Sequence, residues 1–123
     1  MCYLRVALLL MSAEALKGHL DALLLATLTG GPSHGYAIKE ALRKGSDGHF
    51  DLPTGTVYPA LHRLERAGLI RGSWSEENGR QRRSYELTVA GLRALEAKRI
   101  DWQLFSAAVS GLLNGRAYPV PTG

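Results

Sequence analysis

Cys2 is the only cysteine in the 123 residues. No internal disulfide can form, and such usage suits a reducing compartment, so a cytoplasmic location is expected. No apolar run reaches the roughly 20 residues that a membrane-spanning helix needs. The nearest, at positions 2–10, is short and contains Arg5, and no small-residue cleavage site follows it to make a secretion signal. Residues 1–10 read as a poorly ordered extension or a start-site artefact, with Met11 as a second possible start. Catalytic signatures are missing as well: there is no glycine-rich phosphate loop, HExxH, GxSxG or CxxC. Glu65, Glu76 and Glu77 fall on expected surfaces with no evident partner, so nothing suggests paired acid–base chemistry. His19, His34, His49 and His62 lie in different elements, without a close pair at metal-ligand spacing. An enzyme and a metal-responsive regulator are both disfavoured, and neither a cofactor nor a membrane partner is expected.

The hydrophobic share of 46% supports a packed core, and the net charge of +4 is compatible with a polyanionic partner without requiring one. Leu16, Leu20, Leu23, Leu24 and Leu28 follow helical spacing over residues 14–29, and Gly30-Gly31-Pro32 stops the run. Ser33 is placed to cap a second helix over 34–44. Phe50 and Leu52 anchor the loop after it. A third helix begins at a cap on Thr54 or Thr56 and runs to about Ala67, with Val57, Leu61 and Leu64 inward and Gly68 ending it. Two alternating segments follow, with Ile70, Gly72 and Trp74 on one face and Tyr85 and Leu87 on the other segment's matching face. Asn78-Gly79 between them is a strong hairpin signal. Thr88 caps a last helix over 89–113. The expected fold is mainly α with a small β-hairpin: a winged helix-turn-helix at 14–88, a dimerisation helix at 89–113, an extension at 1–13 and a flexible tail at 114–123.

With its apolar stripe turned inward, the third helix leaves Thr56, Pro59, His62, Arg63 and Arg66 outside and Tyr58 on the flank, and Thr54 joins them as a candidate DNA contact. A polar, cationic face near a helix N-terminus suits a major groove, although any solvated helix can look similar. The hairpin adds weight, because Arg80, Arg82 and Arg83 crowd one arm after the turn. Between positions 63 and 83, six arginines face three glutamates. Arginines on a wing can pair with phosphates or enter the minor groove. Tyr36 and Tyr58 could each offer a hydroxyl to phosphate while the ring packs against the core edge.

The run Thr54-Gly55-Thr56-Val57-Tyr58-Pro59-Ala60-Leu61-His62-Arg63-Leu64-Glu65, then Gly68-Leu69-Ile70, resembles the recognition-helix signature of the PadR family of prokaryotic transcription regulators. His34-Gly35-Tyr36 is similar to that family's second-helix motif. Gly79-Arg80 through Arg83-Ser84-Tyr85, then Leu87-Thr88 and Ala90-Gly91, is similar to its wing and the entry to its last helix. The likeness spans about 20–95 without a gap. It implies a homodimer that binds an inverted-repeat, double-stranded DNA operator, usually represses transcription, and in many members is released by a small effector. A winged-helix protein-interaction module without DNA binding is the alternative.

The last helix carries Leu92, Leu95, Trp102, Phe105, Val109 and Leu112 at near-heptad spacing. A winged domain cannot bury so long a stripe alone. A partner copy is expected there, with the first-helix residues Leu16 and Leu20 joining Leu95, Trp102, Phe105, Val109 and Leu112 in the interface. In short members of the family the last helix is the dimer-forming one. Trp102 could also line an interfacial pocket for a flat aromatic effector, with core or interface packing the safer reading.

Overall fold

A computed structural model describes residues 16 and 18–115. The extension at 1–13, with Cys2 and Met11, and the tail beyond 115 lie outside the described residues. The first described helix, α1, is Leu20–Thr27. The continuous helix expected over 14–29 is interrupted at Gly18, whose φ of +83° is the left-handed conformation that glycine adopts most cheaply. Leu24 and Leu25 of α1 are buried and, with Leu28 just past its end, form one wall of the core.

Ser33 corrects a second expectation. It does not cap the next helix; Ser33–His34 forms a short strand, β1. The helix α2, Gly35–Gly45, starts after His34, whose extended backbone serves as N-cap without a side-chain bond. Ile38 and Leu42 face the core from α2.

The third helix, α3, is Thr54–Arg66, and its N-cap is Pro53 rather than Thr54 or Thr56. The Pro53 carbonyl accepts the amides of Thr56 and Val57 at 2.9 and 3.1 Å, which leaves both threonine side chains outside the cap. Pro59 lies in the second turn, inside the helix. At the far end, Gly68 takes φ +77°. Its amide donates to Glu65 and that of Leu69 to Leu64, both at 3.0 Å. That pair of bonds is a Schellman motif, which satisfies the last carbonyls and turns the chain sharply into the sheet.

Strands β2, Ile70–Glu77, and β3, Arg80–Leu87, form an antiparallel hairpin. Asn78 and Gly79 both have positive φ, +53° and +76°, as the two-residue turn matched to strand twist requires. β1 adds a third strand on the outer edge of β3, pairing Ser33 with Tyr85 and His34 with Ser84. Two residues are too few to announce themselves by alternation, so the sequence shows only the hairpin.

The last helix, α4, is Val89–Leu113, capped by Thr88. The Thr88 hydroxyl accepts the Gly91 amide at 3.0 Å and donates to the Gly68 carbonyl at 2.6 Å. Gly91 is required by close approach: a Cβ there would lie 1.9 Å from the Leu69 carbonyl oxygen. Val57, Ala60, Leu61 and Leu64 of α3 close the core with Ile70, Tyr85 and Leu95. Each fully buried leucine is worth about 2 kcal/mol of transfer free energy. No helix among the described residues is long and apolar enough to cross a membrane.

Candidate nucleic-acid interface

At about 100° per residue, Gly55, Pro59, His62 and Arg66 form a line opposite the buried stripe of α3. Thr54, Thr56 and Arg63 are exposed beside it. The sequence-predicted face is therefore brought together on one side of one helix. Its two flanks differ. On the α1 flank, Arg63 pairs with Asp21, and both side chains are about half exposed, 55% and 50%. Such a surface pair is worth roughly 0–1 kcal/mol, so Arg63 can exchange Asp21 for a phosphate at little cost. On the wing flank stand Tyr58 and Glu65, both partly buried. The Tyr58 ring packs closely against Gly35, where a Cβ would come within 2.4 Å of it. The glycine of His34-Gly35-Tyr36 thus makes room for a ring from the recognition helix. Tyr36 itself is well exposed at the start of α2.

The hairpin divides its three arginines between two faces. Arg83 is opposite Trp74, on the side that carries Tyr85, Gly72 and Ile70 toward the core. Arg82 is opposite Ser75 and Arg80 opposite Glu77, both on the outer face of the hairpin and exposed near the tip. Arg82 approaches Glu77 at 3.9 Å. Glu77 also pairs with His34, whose Nε2 stands 2.9 Å from its Oε2.

Arg83 is held from several directions. Its Nη2 donates to Oε2 of Glu65 on α3, and its guanidinium carbon lies 5.4 Å from the centre of the Trp74 ring. Burial, and after it the Glu65 carboxylate, push the neighbouring Tyr85 phenol above its ordinary range. Glu65 and Glu77 thus have partners, contrary to the expectation from sequence; both partners are distant along the chain, and spacing carries no sign of them. Gly72 was the available hint, since a glycine inside a strand marks a close approach.

The dimer-stripe residues separate along α4. Leu95 is 2% exposed and buried in its own domain, because α1 packs across it; this removes it from the expected interface. Leu16 and Val109 are half-buried, and Leu20 packs against the core. Trp102, Phe105 and Leu112 are open, at 53%, 61% and 76%. A groove of about 310 Å³ runs between α1 and α4, lined by Leu23, Ala26, Phe50, Leu95 and Trp102, with His19, Lys98 and Arg99 among its other walls. His19 meets the Trp102 ring edge-on at 5.5 Å between centres.

Three helices, a β-hairpin wing and a long final helix define a winged-helix protein. The sequence profile described as the "Transcriptional regulator PadR-like family" matches residues 24–97, more than half the chain, and the chain belongs to that family. A PadR family transcriptional regulator from Eggerthella lenta has the same fold, with TM-score 0.75 and 29% identity over 92% of this chain and 97% of that one. A PadR-like transcriptional regulator from Bacillus cereus gives TM-score 0.73 and 31% identity over 81% and 96%. Transcriptional regulator Rv3488 of Mycobacterium tuberculosis is 49% identical over 50 residues, 41% of this chain and 47% of that protein. A 37.1 kDa protein of transposon Tn4556 from Streptomyces fradiae is 44% identical over 92 residues, 71% of this chain. The chain spans only 47% and 25%, respectively, of the lengths of these last two relatives. The family is one of transcription regulators, not enzymes.

Proposed function

We propose that the chain is a sequence-specific, DNA-binding repressor that reads an inverted-repeat operator as a homodimer in the cytoplasm. The observation that carries this reading is the exposed polar face of α3, with Arg80 and Arg82 projecting from the wing beside it. In it, Thr54, Thr56, Pro59, His62 and Arg63 enter the major groove, Tyr36 and the Tyr58 hydroxyl approach phosphate, and Arg80 and Arg82 track the backbone near the wing. The open apolar half of α4 supports a partner copy that covers Trp102, Phe105, Val109 and Leu112, with Leu16 and Leu20 at the margin. Twofold symmetry then sets half-sites about 34 Å apart. The largely apolar lining of the groove beside Trp102 supports a flat aromatic effector that releases the DNA.

The test is binding to the chain's own upstream DNA across a salt series, with an Arg80→Ala, Arg82→Ala double variant alongside. Tight binding that falls steeply with salt, and a shallower slope in the variant, is the expected result. Salt-insensitive or absent binding by a folded dimer would replace this reading with a protein-interaction module.

A further inference from the structure

The wing is unevenly supported along its length. β1 pairs only with Ser84 and Tyr85, so from Arg83 to the tip the hairpin has two strands. Two-stranded ribbons twist and bend readily. Arg83 stands where the third strand ends, and there it reaches across to Glu65 on α3. Its side chain is 33% exposed and that of Glu65 27%, unlike the half-open Arg63–Asp21 pair. Gly72 leaves the space for this contact: a Cβ there would be 2.8 Å from Nε and Nη2 of Arg83 and from Oε2 of Glu65. Trp74 lies under the guanidinium. A cation enclosed by a carboxylate, an aromatic ring and a strand backbone has lost most of its freedom to meet a phosphate.

We propose that Glu65 and Arg83 form a strut that fixes the wing's angle to the recognition helix. Arg83 is then a positioning residue, acting on DNA through Arg80 and Arg82 rather than by contact. The inference rests on the DNA-binding reading. The His34–Glu77 pair nearer the tip is more open, with Glu77 at 55%, and gives weaker support.

Glu65→Gln separates a strut from a contact by sign. A phosphate-binding Arg83 freed from its carboxylate would bind DNA more tightly. A strut deprived of its carboxylate weakens binding, by roughly tenfold on the scale of coupling between contacting residues. The salt slope also falls by about 1 to 2, although no DNA-facing cation has been removed, and Arg82→Ala has little further effect in that background. Arg83→Lys keeps the charge but not the planar fork, and gives the same loss. Hydrogen exchange without DNA supplies a second readout: in Glu65→Gln, amides from Ser75 to Arg82 exchange faster while those of α3 do not. Tighter binding by Glu65→Gln, or unchanged exchange at the tip, overturns the strut. Absence of binding by the unaltered protein, with faster exchange in the variant, overturns the DNA reading and leaves the strut standing.

Discussion

The wing face and the outer half of α4 contrast in how far a single chain completes them. At the wing, Arg83, Arg82 and His34 each have a carboxylate partner, and Gly35 and Gly72 admit neighbouring side chains closely. Along α4 beyond Arg99, Ile100, Trp102, Leu104, Phe105, Leu112 and Leu113 stand open, and positions 102–113 carry no charged residue. A surface of paired charges needs no cover of its own. A surface of open apolar side chains calls for a cover, since apolar area of this kind marks an interaction site. One region is completed within the chain, and the other is the one proposed to be shared between two copies.

The largest expected effect comes from breaking the shared region. A Phe105→Glu, Leu112→Glu variant is expected to sediment as a monomer and bind operator roughly a hundredfold or more weaker, because the two half-sites no longer act together. Binding as tight as the unaltered protein's would sink the dimer reading. Next comes Gly91→Ala, at the joint between the two regions. The added methyl collides with the Leu69 carbonyl, and denaturant unfolding is expected to show a loss of about 3 kcal/mol. A smaller change follows Arg82→Ala, which should lower the salt slope by about 0.9 while leaving the melting temperature nearly unchanged. Smallest is an alkaline effect at Tyr85. Its folded pKa lies above its unfolded value of 10.0, so its contribution is complete below that value and is lost as pH rises through the raised one. Stability measured from pH 9 to 12 should decline less in Tyr85→Phe, which has no phenol to ionise.

Legibility followed locality. Thr88 and the helical stripe identify α4 from the sequence, and Asn78-Gly79 identifies the wing, because caps and turns depend on residues a few positions apart. Gly68 shows the end of α3 for the same reason. β1 escapes notice, since its partners Ser84 and Tyr85 are some fifty positions away. The division of Arg80 and Arg82 from Arg83 follows from alternation once the hairpin register is known, yet the capture of Arg83 by Glu65 requires the tertiary fold. Leu95 shares its stripe with Trp102 and Phe105, and only the crossing of α1 decides that it faces its own domain. The recognition face was legible as a set of residues, and its two flanks were not.

The Thr88 hydroxyl joins the end of the recognition helix to the start of α4, through Gly68 on one side and Gly91 on the other. The Leu69 carbonyl also accepts the Thr88 amide at 3.2 Å. This makes α4 a lever with its fulcrum at the recognition helix. Its 25 residues span about 37 Å, so a tilt of about 5° corresponds to some 3 Å of travel at its far end. In the proposed dimer, a small change in how two such levers cross would be converted into a change in the spacing of the helices that they carry.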